Sequence, residues 1–163
     1  MNNKYFSFSC KLSLLLSLVT LFLSGCMSEN PQVIKETDIN KKTVLSFFNT
    51  AYNLKQPDKA SILFAAKSEA RSIKGDTLLI GPTEIARSIS SFLNNTDNVK
   101  FRSEWVYAEG EMVMIRWIIS CTPKIDLFGM PAAVPIDIHG ASFLKFFDRQ
   151  IVSSVTYWNY IQK

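Results

Sequence analysis

The chain has 163 residues, 47% of them hydrophobic, with 18 lysines and arginines against 14 aspartates and glutamates. That length builds one domain with a real core and leaves no comfortable room for two. Its formal net charge of +4 is spread thinly, without the lysine or arginine runs of a nucleic-acid-binding surface.

Chain order begins with an export signal. Lys4 and Lys11 are the only charges before residue 26, and the 12 residues from Leu12 to Leu23 carry none. A bilayer core needs about 20 apolar residues to cross, so this run is too short to span it. A cationic start, a short apolar stretch and small residues ahead of a cleavage point read as a secretory signal peptide. Leu23-Ser24-Gly25-Cys26 resembles the bacterial lipobox, in which the chain is cut before the cysteine and the thiol takes up diacylglycerol. The resemblance implies removal of residues 1–25 and a membrane anchor through lipid on Cys26. Met27, not Asp, follows that cysteine. Under the sorting rules of such lipoproteins this implies the outer membrane, facing the periplasm, in a host with two membranes. Lys4 and Lys11 leave with the signal, so 16 basic residues face 14 acidic ones in the remaining 138, and the net charge falls to +2. Cys10 leaves as well and Cys26 is acylated, so Cys121 is the one thiol left. Alone it makes no internal disulfide, and with the single histidine, His139, it cannot supply four zinc ligands. No metal or cofactor is expected, and Cys121 reads as a small apolar filler in a strand.

Residues 26–40 are polar, contain Pro31 and lack apolar periodicity, which predicts a flexible tether. The domain then runs from 41 to 163. Val44, Phe48 and Ala51-Tyr52 recur at i, i+4 and i+7/i+8, with Leu45 and Phe47 alongside, predicting an amphipathic helix that starts just after Asp38. Gln56-Pro57-Asp58 ends it, and Asp58 is a natural N-cap for a short second helix through Ala65. Glu69 to Ile80 reads as one or two strands with a turn at Gly75-Asp76. Gly81-Pro82 opens a third helix with Ile85, Ile89 and Phe92-Leu93 on one face, stopped by the polar loop Asn94 to Asn98.

Beyond that loop the pattern is β. Val99 to Ala108 and Met112 to Thr122 flank the hairpin signal Glu109-Gly110, and Ile136 to Phe147 and Ile151 to Ile161 flank Asp148-Arg149-Gln150. Pro123 to Pro135 is a long proline-rich connection at one end of the sheet. Three helices followed by long hairpins predict an α+β fold, a curved antiparallel sheet wrapped around N-terminal helices. Both faces of Met112 to Ile119 and of the last hairpin are apolar, with Phe143, Phe147, Val155 and Tyr157 on the outward side. Antiparallel sheets ordinarily wet one face. The outer face is therefore expected to be covered, by a second copy in a homodimer or by another envelope protein.

Several local phrases, in this order, resemble the SnoaL-like branch of the nuclear transport factor 2-like superfamily, which also holds the ketosteroid isomerases. They are Leu79-Ile80-Gly81-Pro82-Thr83-Glu84-Ile85, Ala108-Glu109-Gly110-Glu111 before Arg116-Trp117, and Phe128-Gly129-Met130-Pro131. The last is Phe146-Phe147-Asp148-Arg149-Gln150-Ile151-Val152 before Tyr157-Trp158. The resemblance covers about Lys41 to Gln162 and implies a cone, a bent sheet around helices with an apolar pocket inside (the cystatin-like α+β cone).

Matching those phrases without gaps puts the cyclases' acid/base aspartate at Thr156, their second polar residue at Ser142 and the isomerases' aspartate near Ser72. All three are hydroxyls, and a hydroxyl without a basic partner does not move protons near neutral pH. The resemblance thus implies the pocket without the catalytic groups. No catalytic residue is assigned, and the enzyme reading is disfavoured. A shifted hairpin register would bring Asp137 or His139 into the place of Ser142; otherwise period-2 alternation puts His139 on the opposite face, at a rim or in solvent. Tyr52 lies near the isomerases' oxyanion-binding tyrosine, or else is a helix tyrosine with its ring in the core and its hydroxyl at the pocket edge.

The residues expected to meet a small apolar ligand are Tyr52, Phe64, Trp117, Ser142, Thr156 and Trp158. Three functions follow: a non-catalytic lipoprotein that holds such a ligand, an isomerase or cyclase of the family, and a protein-interaction module working through its outer surface. A pocket plugged by Phe64, Trp117 and Trp158 would favour the last.

Overall fold

The computed structural model describes residues 31–73 and 76–163. The expected signal peptide, Cys26 and Gly75 of the expected turn lie outside them. Among the described residues no helix is long and apolar enough to cross a membrane.

Helix α1 spans Pro31–Phe48 and widens into one π-turn, Asn49–Asn53, in which the Leu54 N–H reaches the Asn49 carbonyl at 3.0 Å. Residues 31–40, read from sequence as tether, are therefore helical. The buried stripe Val44, Phe47, Phe48, Ala51 continues one turn back to Asn40, which is 7% exposed. A polar residue in that stripe is invisible to a count of apolar ones. The second helix, α2 (Pro57–Ser61), is shorter than expected and yields to β1 (Phe64–Ser72) and β2 (Thr77–Ile80). Phe64 is thus a strand residue. Helix α3 (Gly81–Asn94) lies where Gly81-Pro82 predicts it, and the Glu84 carboxylate accepts the Ile80 N–H at 2.7 Å. Gly81 has φ +74°, and a Cβ there would stand 2.7 Å from the Ala66 carbonyl oxygen, so the turn into α3 requires glycine.

Two long hairpins follow, β3 (Thr96–Glu109) with β4 (Met112–Pro123), and β5 (Ile136–Phe147) with β6 (Gln150–Gln162). The six strands form one sheet in the order β2-β1-β6-β5-β4-β3. Every neighbouring pair is antiparallel except β1 and β6, which run parallel with Ser72 opposite Thr156. The sheet is therefore mixed, not wholly antiparallel. A parallel pair between strands so far apart in the chain leaves no local turn signal to read. Register shifts in β3, at Lys145/Phe146 and between Phe64 and Glu69 mark bulges, which raise the local twist and bend the sheet.

The bent sheet turns its inner face to α1 and α3. Phe48 stacks on Phe101 of β3 at 5.1 Å and lies 6.0 Å from Trp117 of β4, so α1 packs directly on the strands. Val113, Ile115, Ile136, Leu144 and Ile151 are buried in the same core. The Asn53 side chain, at the end of the π-turn, accepts the Phe101 N–H at 2.8 Å and donates to the Phe101 carbonyl at 3.1 Å. An amide thus stands in for a neighbouring strand on the edge strand β3 and ties the first helix to the sheet.

Candidate functional site

Between the helices and the inner face lies a cavity of about 240 Å³. Its walls are aromatic: Phe48 and Tyr52 from α1 and its π-turn, Phe64 from β1, Phe92 from α3, Trp117 from β4 and Trp158 from β6. Alternation along β5 and β6 brings Ser142, Leu144, Ser154 and Thr156 to the same lining, as period 2 predicts. All six residues expected to meet a ligand therefore line one space, and so does Ser72. Phe64, Trp117 and Trp158 form its walls and leave it open.

Two indoles organise the polar groups. Trp117 Nε1 donates to Ser142 Oγ at 3.0 Å, and Trp158 Nε1 donates to Ser72 Oγ at 3.0 Å. Ser142 Oγ lies 2.8 Å from Thr156 Oγ1 across the β5–β6 pair, where the two residues are directly opposed. Ser142 and Thr156 are thus joined to Trp117 in one hydrogen-bonded array, and Ser72 is held separately by Trp158. The Trp117 ring lies over Gly140, its direct neighbour across β4 and β5. A Cβ at residue 140 would come within 2.2 Å of the indole, so only glycine admits the ring there.

Tyr52 is held by Phe48, Phe92 and Phe101, whose ring centroids lie 6.2, 6.0 and 6.5 Å away. Burial pushes its phenol pKa up to about 12, so the group stays protonated across the physiological range. The Tyr52 ring packs against the aromatic core, and the residue lines the cavity.

The residues kept as alternatives to Ser142 lie elsewhere. Asp137 pairs opposite Ser120 and His139 opposite Ile118, both in the outward register of β5. Burial would raise the Asp137 pKa, but hydrogen bonds from Lys163 and Ser120, with the charges of Lys163 and His139, outweigh it and hold the carboxyl below its ordinary value. Lys163 Nζ sits 2.8 Å from Asp137 Oδ1, so this carboxylate fastens the end of the chain to the sheet. Cys121 is buried in the core; burial first, then the Asp137 charge, raises its thiol pKa to about 11 against the opposing charge of Lys163. Among the described residues no three His, Cys, Asp or Glu side chains gather closely enough to hold a metal ion.

Sequence reasoning missed part of the mouth. Phe128 lines the cavity from the long connection, is 60% exposed, and meets Trp158 edge-on at 6.2 Å. Its loop is pinned by a Tyr160 hydroxyl donating to the Gly129 carbonyl at 2.6 Å and by buried Met130. The signal was present in Phe128-Gly129-Met130, an aromatic beside a glycine that takes φ +81°. Arg71 also touches the lining, from an exposed position in which it faces Glu69 at 3.8 Å.

A helix-backed, bent sheet closed around an aromatic cavity defines the nuclear transport factor 2-like, or ketosteroid isomerase-like, fold class, and solved structures share it. A protein with the ketosteroid isomerase-like fold from Catenulispora acidiphila, crystallised with trimethylamine, is 19% identical and superimposes with a TM-score of 0.62 over 71% of this chain and 83% of its own. A proposed SnoaL-like polyketide cyclase from Jannaschia sp. CCS1 is 13% identical, with a TM-score of 0.68 over 82% of this chain and 91% of its own. An LEH-like epoxide hydrolase from M. tuberculosis is 12% identical, with a TM-score of 0.60 over 76% and 85%. At such identities the likeness is one of fold. No curated protein matches the sequence. Residues 42–163 match the family model of the SnoaL-like polyketide cyclases, and the chain belongs to that family.

Proposed function

We propose that this chain is a membrane-anchored envelope lipoprotein whose SnoaL-like domain holds a small apolar molecule without converting it. The observation that carries the binding role is the cavity: about 240 Å³ of aromatic wall dotted with hydroxyls. Concave, mostly apolar sites with a few placed polar groups suit small-molecule binding. The same lining argues against proton transfer next to a carbonyl, because among the described residues it contains no carboxylate and no imidazole. Tyr52, protonated up to about pH 12, supplies a hydrogen-bond donor and not a base.

Native mass spectrometry of the full chain purified from its own host's envelope tests this role. The expected spectrum shows the protein mass plus one small molecule; repeated spectra of the bare chain alone would remove the ligand. The anchor rests on Leu23-Ser24-Gly25-Cys26. Cys26→Ser is expected to move the protein out of the membrane fraction, and continued membrane association in that variant would sink the anchor.

A second property has its own support. On the outer face Trp105, Tyr107, Met112 and Tyr157 are 43, 54, 41 and 50% exposed, and the Phe143 and Tyr157 rings meet edge-on at 6.2 Å. Cross-strand register sets Tyr107, Met114, Phe143 and Val155 in one row, with the Arg116–Glu104 ion pair at 2.7 Å beside it. An aromatic centre with charged neighbours is how protein interfaces are built. A homodimer through this face is the corresponding proposal. The double variant Phe143→Asp, Tyr157→Lys should halve the mass by light scattering, whereas an unchanged mass would remove the sheet-face dimer.

A further inference from the structure

In the connection between β4 and β5, Leu127 and Met130 exchange both backbone hydrogen bonds, at 3.0 and 2.9 Å. Residues 127–130 thus close a two-residue hairpin turn with Phe128 and Gly129 at its corners. Their φ values are +51° and +81°, the left-handed pair of a type I′ turn, which asparagine and glycine suit best. Gly129 fits that rule and Phe128 breaks it, because a Cβ crowds the backbone in this region. The Phe128 ring breaks a second rule by standing 60% exposed. An apolar ring kept in water, on a backbone that disfavours it, points to a functional position.

The loop beneath the ring is fastened at several points. Met130 is buried, and the Tyr160 hydroxyl donates to the Gly129 carbonyl at 2.6 Å. The Ala132 N–H donates to the Asp126 carboxylate at 2.9 Å, and the Ala133 N–H to the Pro123 carbonyl at 2.7 Å. The exposed side chain is the part left to move, on the fast timescale of surface rotamers. Phe128 lines the aromatic cavity and also a groove on the outer surface, and Leu79, Ser88 and Phe92 line both spaces with it. These four side chains are the wall between cavity and groove. Phe92 is held edge-on by Tyr52 at 6.0 Å, Leu79 sits in the β2–β1 pairing opposite Ala70, and Ser88 is small. Phe128 meets Trp158 edge-on at 6.2 Å, with both rings on the cavity lining.

We propose that the Phe128 ring gates the cavity: it rests against Trp158 to close the way into the surface groove and swings off it to let a molecule pass. This rests on the ligand-binding role above and adds the step that controls exchange. A single edge-on aromatic pair holds such a ring closed by a ratio of up to about ten to one. The gate opens often enough for exchange and stays shut most of the time. The ring closes again whether the cavity is filled or not, so it governs how fast a molecule enters and leaves and not how tightly it binds.

Stopped-flow fluorescence of the full chain with N-phenyl-1-naphthylamine, which brightens on leaving water, tests the gate. Phe128→Asn removes the ring and suits the turn. Its association and dissociation rates should both rise by the same factor, up to about tenfold, at an unchanged dissociation constant. Phe128→Tyr keeps the ring and should keep the slow rates. Thermal unfolding is the companion measurement: Phe128→Asn should melt no lower than the unaltered chain, because asparagine accepts the left-handed backbone. Faster dissociation alone, with weaker binding, would make Phe128 a wall contact, and unchanged rates would make it idle. Either result overturns the gate and leaves the binding role standing. A lower melting point would mean that the ring holds the loop in place, which overturns the gate as well. If the probe does not bind the unaltered chain, both the gate and the binding role fall.

Discussion

Gly140→Ala should destabilise the protein by about 2–6 kcal/mol, a large share of the roughly 5–15 kcal/mol that holds an ordinary domain. The new methyl carbon would meet three indole carbons of Trp117 at 2.2 to 2.5 Å, a distance at which one side must move. The ring has little freedom, being 5% exposed and bounded by Phe48 at 6.0 Å. Two costs combine: overpacking of a filled core, about 1–3 kcal/mol, and loss of the Trp117–Ser142 hydrogen bond, which leaves a buried N–H unpaired for about 1–3 kcal/mol more. Urea denaturation reads the effect as a lower midpoint at unchanged slope. The companion variant Trp117→Phe supplies the control. A smaller ring relieves the clash, so the double variant should be more stable than the sum of the two single losses predicts. A Gly140→Ala shift below about 0.5 kcal/mol, the ordinary range for a surface change, would mean the indole does not lie over residue 140.

Phe48→Ala should cost about 3–5 kcal/mol, the range for emptying a buried phenylalanine site. Phe48 is 5% exposed and lies 5.0 Å from Phe47, 5.1 Å from Phe101 and 6.0 Å from Trp117, so it joins α1 to β3 and β4. It also lines the cavity, and this separates it from an ordinary core residue. Removing the ring enlarges the space and lines it with the same neighbours. An apolar molecule that fills the gap should restore part of the loss, about 2.7 kcal/mol at a hundredfold excess over its dissociation constant. Thermal unfolding with and without tetralin makes the comparison. A rise in midpoint in the variant that exceeds the rise in the unaltered chain is the expected result; equal shifts would place Phe48 outside the ligand space.

The outer face and the inner face place different demands on the same strands. On β5, Ser142 and Leu144 line the cavity while Phe143 between them joins the outer-face row of Tyr107, Met114 and Val155. A one-residue slip of β5 would exchange these roles and carry the Trp117 acceptor out of reach. Apolar residues on both faces do little to define that register. The hydrogen bonds at Ser142 and the bare backbone at Gly140 do, because each fits Trp117 in one register only.

Much of the domain was legible in local patterns. Pro82 beside a helix stripe of Ile85, Ile89 and Phe92 marks α3, and turn residues between β-rich runs mark both hairpins within one or two residues at most ends. Period-2 alternation alone aligns Ser142 with Leu144 and Ser154 with Thr156 and Trp158, because neighbouring side chains on a strand point to opposite faces. That Ser72, Ser142 and Thr156 are hydroxyls is likewise a property of the sequence. What only the tertiary structure decided are relations between distant segments. The parallel seat of β1 beside β6, the Trp158–Ser72 bond and the ring of Trp117 over Gly140 join residues that share no local period. The start of α1 at Pro31 belongs with them, since Asn40 is drawn into the buried stripe by what packs against it and not by its own polarity. Periodicity reports which face a side chain takes; which partner it meets there, and whether the rings close a cavity or leave it open, is settled by strand register and packing across the whole domain.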